Sequence, residues 1–286
     1  MKKFLSLFLL LSVVVLALAA CGKGETVKEN ENDTSNNEST TGKNTLVVGA
    51  SNGVHALILE KAKPILAEQG VNLEIRRYQD FVMPNQDLDS GDLDANYFQH
   101  IPYLEDEIAS KGYNFVNAGG VHIEPIGIYS KEYKSVEDLP KGATILISNS
   151  VTDQGRILTL LESLGLIKLA DGIDKSAATI SDIVKNPKKL VIDADSPAEM
   201  LVAYYEQDEG DAVVINSNYA IDAQINPLKE SIAIESTDSP YVNVVAVRKG
   251  DENKESIKKL MDVLHSKEVQ DYIQSEWNGA VVPVNE

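Results

Sequence analysis

The chain has 286 residues, enough for two lobes each with its own core, and its 26 basic residues against 44 acidic ones give a formal charge of −18. With no basic cluster to offset that balance, nucleic-acid binding is excluded. A single cysteine, Cys21, excludes a disulfide framework and a Cys-based metal site.

Met1-Lys2-Lys3 is a charged start, and the apolar run behind it ends Leu18-Ala19-Ala20-Cys21. Charge, apolar stretch and small residues in that order predict a secretory signal peptide over residues 1–20. A cysteine where cleavage falls resembles a bacterial lipobox, which implies that Cys21 becomes the lipidated first residue of the mature protein. A plain signal peptide and an anchor helix are the alternatives. A lipid is itself a membrane anchor, and no later segment is apolar over enough residues to span a bilayer. Residues 21–43 are read as the lipidated cysteine and a tether of Asn, Ser, Thr, Glu, Lys and Gly, too polar to fold and spanning about 25 Å.

Thr45-Leu46-Val47-Val48-Gly49 predicts a first strand, buried on both faces. Ala50-Ser51-Asn52-Gly53 is its turn, and residues 55–69 carry Leu57, Ile58, Ile65 and Leu66 at mostly helical spacing. Val71-Asn72-Leu73-Glu74-Ile75 alternates as a second strand, so the order opens β-α-β and favours a parallel sheet. Gly49-Ala50-Ser51-Asn52-Gly53 also fits the Gly-x-Ser-x-Gly nucleophile elbow. A hydrolase elbow normally follows several strands, however, and only a tether precedes this one.

Asp94-Ala95-Asn96-Tyr97-Phe98-Gln99-His100-Ile101-Pro102-Tyr103-Leu104 is neither apolar nor alternating, so it is read as a loop running into a helix near Ile101-Pro102. In that conformation Phe98, His100 and Tyr103 face one cavity with aromatic walls and polar tips, the chemistry of a small-ligand pocket. Gly91-Asp92-Leu93-Asp94-Ala95-Asn96-Tyr97 is echoed by Gly210-Asp211-Ala212-Val213-Val214-Ile215-Asn216-Ser217-Asn218-Tyr219. The echo suggests two lobes built alike, each sending a strand-end loop to a shared cleft.

Val121-His122-Ile123-Glu124-Pro125-Ile126-Gly127-Ile128-Tyr129 reads as a strand leaving the first lobe for the second. Thr152 or Asp153 is the expected N-cap of a helix with Ile157, Leu160, Leu161 and Leu164 inward. Arg156 then stands near a helix N-terminus, where the dipole disfavours a cation unless an anion is beside it. Residues 179–183 and 198–205 are expected to be helical, around a strand at Leu190-Val191-Ile192. Val242 to Val247 is a buried strand whose Asn243 needs a partner. The tail is amphipathic helix, with Ile257, Leu260, Met261, Leu264, Val269 and Ile273 inward.

Taken together, Ser90-Gly91-Asp92-Leu93-Asp94-Ala95-Asn96-Tyr97-Phe98-Gln99-His100, His122-Ile123-Glu124-Pro125-Ile126-Gly127-Ile128-Tyr129-Ser130, Gln154-Gly155-Arg156, Val214-Ile215-Asn216-Ser217-Asn218-Tyr219-Ala220 and Asp238-Ser239-Pro240-Tyr241-Val242-Asn243 resemble the NlpA family of lipoproteins, the methionine-binding proteins of methionine ABC importers. The resemblance implies an α/β, two-lobed periplasmic-binding-protein fold with a ligand cleft between lobes. Lobe 1 is expected at 44–128 and 239–286, lobe 2 at 129–238. It also implies a lipid-anchored protein on the extracytoplasmic face, delivering to an ABC permease and ATPase that are separate chains. No cofactor and no catalysis are expected.

Carried over by motif, Phe98, His100 and Tyr103 surround the thioether, Arg156 takes the α-carboxylate, and Asn216 and Asn243 hold the polar end. Two positions and one stretch depart from the family: Phe81 stands where Tyr is usual, Asp153 where Asn is usual, and the stretch Asp193 to Glu209 is unlike the usual family sequence. Asp153 either neutralises Arg156 or takes a ligand ammonium. The departures bear on the ligand rather than the fold, leaving a methionine-containing dipeptide or another apolar amino acid open. A metal carrier using His100, His122 and Glu124, and a hydrolase using Ser51, are the competing readings.

Overall fold

Aliphatic residues without a charge between Leu46 and Ala50 form β1 (Thr45–Ser51), the start of a computed structural model that describes residues 44–284. The expected signal peptide, Cys21 and the whole tether lie outside the described residues. Among those residues, no helix is long and apolar enough to cross a membrane.

The chain continues through α1 (Val54–Glu68), β2 (Asn72–Tyr78), α2 (Met83–Ser90), β3 (Ala95–His100), α3 (Ile101–Lys111) and β4 (Phe115–Ile123). It crosses at residues 124–126 into β5 (Gly127–Tyr129), β6 (Thr144–Ser148), α4 (Val151–Ser163), β7 (Lys168–Leu169), β8 (Ile183–Lys185), β9 (Val191–Ser196), α5 (Leu201–Glu206), β10 (Ala212–Ile215), α6 (Ser217–Asp222), α7 (Pro227–Glu230) and β11 (Ser231–Ile234). It then returns through β12 (Val242–Arg248), α8 (Glu255–Leu264), α9 (Lys267–Glu276) and β13 (Val282–Pro283).

Apart from β7 and β8, which pair only with each other, these strands make two mixed sheets, ordered β13-β4-β12-β3-β1-β2 and β11-β5-β10-β6-β9. β1 runs parallel to both β2 and β3, as the β-α-β opening requires, while β12 is antiparallel to β3 and β4. One core lies between the first sheet and α1, α8 and α9, and includes Ile58, Leu66, Leu260 and Ile273. A second, under β5, β6 and β10, is filled by Ile128, Ile145, Val214 and the inward face of α4 at Ile157 and Leu161.

Several expectations are corrected. Residues 95–100 are strand, not loop, and every one is buried. The polar members do not need water, because they satisfy each other: Asn96 Nδ2 donates to Asn85 Oδ1 at 2.8 Å, and Gln99 Nε2 donates to Asn85 Oδ1 and Asn96 Oδ1 at 2.9 Å. The helix does begin at Ile101, with His100 as its N-cap, Nδ1 accepting from Tyr103 N at 3.1 Å. Leu57 is exposed, and the buried stripe of α1 instead includes His55. The helix expected at 179–183 is one 3₁₀ turn, Ile180–Asp182, leading into β8.

The sequence echo has a structural counterpart. Asp94 N donates to Val47 O and its Oδ2 accepts from Val47 N at 2.9 Å; Asp211 N donates to Thr144 O and its Oδ2 accepts from Thr144 N at 2.7 Å. In each sheet, an Asp shortly after a left-handed Gly (Asp94 three residues after Gly91, Asp211 directly after Gly210) clips a central strand to its parallel neighbour before a helix follows that strand.

Candidate functional site

The ends of the central strands carry the candidate residues to one place. Phe98 and His100 come from β3 and Tyr103 from the first turn of α3. Asn243 comes from β12, Asn216 caps α6 after β10, and Asp153 and Arg156 lie on α4. Phe81 lies in the loop between β2 and α2. All eight line one cavity, together with Gln99, Glu124, Ser217 and Asn218. Its free space is about 30 Å³, room for a water or two.

One end is aromatic. Phe81 lies 6.1 Å from Phe98 and 4.9 Å from Tyr219, and Phe98 lies 6.1 Å from Tyr103 in an edge-on pairing. Tyr103 Oη donates to Phe81 O at 3.0 Å, which ties the loop to α3.

The other end is polar, and two expectations about it change. The N-cap of α4 is Ser150, not Thr152 or Asp153. Arg156 is therefore the sixth residue of the helix, beyond the free N–H groups of the first turn. Its anion is a protein group: Nε donates to both Glu235 carboxylate oxygens at 3.1 Å, and Nη2 donates to the same carboxylate and to Glu124 O at 2.7 Å. The guanidinium carbon also sits 4.5 Å from the Tyr241 ring centroid. Arg156 thus joins both segments that cross between the sheets, and only its Nη1 lacks a hydrogen-bond partner among the described residues. Gly155 makes room for this helix, since a Cβ there would lie 2.3 Å from Ser176 O.

Asp153 is not the counter-ion of Arg156. Its Oδ1 lies 3.8 Å from His100 Nε2, and it accepts from Asn216 Nδ2 at 3.4 Å. Burial lowers the pKa of His100, so its ring is neutral, and with Nδ1 accepting at the helix cap the proton is on Nε2, facing Asp153. Burial alone would raise Asp153, but the His100 N–H and the Arg156 charge outweigh it and hold the carboxyl below its usual range. Two buried amide atoms of the residues lining the cavity, Asn216 Oδ1 and Asn218 Nδ2, have no hydrogen-bond partner among the described residues. Sequence reasoning missed Asn218, although Asn216-Ser217-Asn218 repeats the residue type at two-residue spacing. It also missed Glu235, which nothing local marks, since its partner is 79 residues away.

Behind the cavity, and reaching its wall through Glu124 and Asn243, lies a buried cluster. Tyr97 Oη meets His122 Nδ1 at 2.5 Å, and His122 Nε2 donates to Glu124 Oε1 at 2.8 Å. Ser51 Oγ meets His55 Nδ1 at 2.6 Å, and His55 Nε2 meets Asn243 Oδ1 at 2.9 Å. The metal-ligand grouping weighed from sequence is changed here, for it is His55, not His100, whose donor atom joins those of His122 and Glu124 within 4.8 Å. Ser51 does not line the cavity.

Burial lowers His55 to about 4 and His122 to about 3. An unfolded imidazole takes a proton near 6.5, so below that pH the unfolded chain binds more protons and stability falls. Each ring should cost about 1.4 kcal/mol per pH unit in that window. Glu124, raised by burial, opposes this in part where it is protonated before an unfolded carboxyl. Thermal midpoints measured from pH 7 to 4.5 are expected to fall below 6.5, and to fall less steeply in His122→Gln.

A family model described as NlpA lipoprotein matches residues 46–285. The chain is 49% identical over 288 residues to the methionine-binding lipoprotein MetQ of Bacillus subtilis (strain 168), covering 100% of both. A nutrient binding protein from Burkholderia cenocepacia bound to methionine has a TM-score of 0.80 at 41% identity, over 83% of this chain and 99% of that one. A periplasmic substrate-binding protein of an ABC transporter from Coxiella burnetii has a TM-score of 0.79 at 36% identity, over 84% of this chain and 100% of that one. The fold is that of the periplasmic substrate-binding proteins, and the chain belongs to the NlpA lipoprotein family.

Proposed function

We propose that this chain binds methionine, or a closely related amino acid or methionine-containing dipeptide, and delivers it to an ABC importer whose permease and ATPase are separate chains. The observation that carries the reading is the polarity of the cavity that the eight candidate residues line. Arg156 Nη1, Asn218 Nδ2 and the Asn243 amide offer donors for an α-carboxylate, while Asp153 and Asn216 Oδ1 offer acceptors for an α-ammonium. The rings of Phe81, Phe98 and Tyr103, with His100 beside them, suit a polarizable thioether. Ser51 is buried behind the wall and does not line the cavity, which supports binding rather than hydrolysis.

The lobes in this reading are the two sheets with their helices, the chain crossing at residues 124–126 and 235–241. Gly127 and Ile128, expected in the first lobe, then go with the second, because β5 pairs with β10 and β11. An amino acid needs more than about 30 Å³, so it enters when the lobes part and is enclosed when they close. Mass spectrometry of what the folded protein releases on denaturation tests the ligand class. Methionine or a methionine dipeptide is expected, and stoichiometric release of an unrelated compound contradicts it.

Lipid anchoring at Cys21 on the extracytoplasmic face belongs to the same reading. Cys21→Ser is expected to move the processed chain from the membrane to the soluble fraction, and equal membrane partitioning after signal cleavage contradicts the anchor.

A further inference from the structure

The cluster behind the cavity holds two groups that the binding reading does not use, Ser51 and His55. Both are almost completely buried, Ser51 at the end of β1 and His55 in the first turn of α1. Gly53 between them has φ +71°, and a Cβ there would strike the Asp222 carboxylate, so the turn that sets their spacing depends on glycine. His55 contacts Ser51 through one ring nitrogen and Asn243 through the other.

We infer that Ser51 and His55 are positioning residues that fix which end of the Asn243 amide faces the ligand, and so make the site selective for a carboxylate. The inference rests on the binding reading above and deepens it. A neutral imidazole carries one ring proton, and the bond at one nitrogen decides where it sits. Ser51 Oγ–H donates to Nδ1, so the proton is on Nε2, which donates to Asn243 Oδ1. The amide is thereby oriented: its oxygen is turned to the protein, and its Nδ2, without a partner among the described residues, is left for the cavity. Asn243 then works as a donor beside Asn218 Nδ2 and Arg156, at the end that receives a carboxylate.

The groups around His55 make the tautomer a balance. Glu124 Oε1 lies 3.6 Å from Nδ1 and would draw a proton there. The His122 and Tyr97 rings stand edge-on at 5.0 and 4.8 Å and offer Nδ1 no competing donor. The neutral state follows from burial, which lowers the His55 pKa. Without the Ser51 hydroxyl, the proton moves to Nδ1 beside Glu124. Nε2 becomes an acceptor, the Asn243 amide rotates, and its oxygen meets the ligand carboxylate.

The test is calorimetry with L-methionine and methioninamide on wild type, Ser51→Ala and Ser51→Thr, with ¹⁵N spectra of the His55 ring. Ser51→Ala is expected to weaken methionine about tenfold and the amide less than about twofold, one hydrogen bond to a charged group being at stake. Ser51→Thr keeps a hydroxyl and is expected to restore the wild-type ratio of acid to amide. The ring spectrum should report a protonated Nε2 in wild type and a protonated Nδ1 in Ser51→Ala. An unchanged ratio in Ser51→Ala, or a protonated Nδ1 in wild type, overturns the inference while leaving methionine binding intact. Wild type that binds no methionine overturns the binding reading instead, and the ring spectrum still decides the tautomer.

Discussion

Arg156→Ala is expected to destabilise the fold by about 3 kcal/mol and to weaken methionine binding by at least about tenfold. Removing one member of a buried ion pair costs roughly 3–5 kcal/mol because the other charge is left unpaired. The lower end applies here, since Glu235 keeps some contact with water, its side chain being 12% exposed. The binding loss is separate, and comes from Nη1, a charge-assisted donor worth roughly 1.5–3 kcal/mol. Two further variants part these effects. Glu235→Gln keeps the shape and removes the competing carboxylate, so it should lose stability without losing affinity for methionine. Arg156→Lys should resemble Arg156→Ala in stability, because an ammonium cannot span Glu235 and the Glu124 carbonyl and still stack on Tyr241. Denaturant midpoints and calorimetric affinities on the three proteins check this. Full stability in Arg156→Ala contradicts it.

Phe98→Ala is expected to cost about 3–5 kcal/mol of stability as well as affinity. The ring is 4% exposed on a central strand and serves as core and cavity wall at once. Phe98→Leu nearly conserves volume and should cost under about 1.5 kcal/mol. The affinity it still loses measures the contact of the ring with sulfur, about 0.3–1.5 kcal/mol. Thermal melts with and without methionine give both quantities. An Ala variant as stable as wild type places the ring outside the core.

How far the sequence could be read follows from how local each signal was. The β-α-β opening, the start of α3 at Ile101 and the inward faces of α8 and α9 were legible because periodicity, Pro placement and apolar runs are set by neighbouring residues. The strand at residues 95–100 was not legible, because alternation fails where both faces are buried and the polar members pair among themselves. Their partner, Asn85, lies on another element and carries no mark of its role. Most candidate site residues were singled out by chemical type, with rings, amides and one Arg beside a helix start, while Phe81 and Asp153 entered through the family resemblance. The account of Arg156 was incomplete because its counter-ion arrives from a loop 79 residues on. His55 was hidden for a related reason: it stood in an apolar helix face, and its partners Ser51, Glu124 and Asn243 meet only when three strands and a helix are assembled.

The central claim is that one cavity holds a free amino acid by its two charged ends with the thioether against the rings. Calorimetric titration of the wild-type protein with L-methionine and with methioninamide tests it most directly. The account predicts one site for methionine, and an amide weaker by at least about tenfold, since the donors from Arg156, Asn218 and Asn243 then lose a charged partner. Equal affinity for acid and amide, or no binding of methionine, contradicts it.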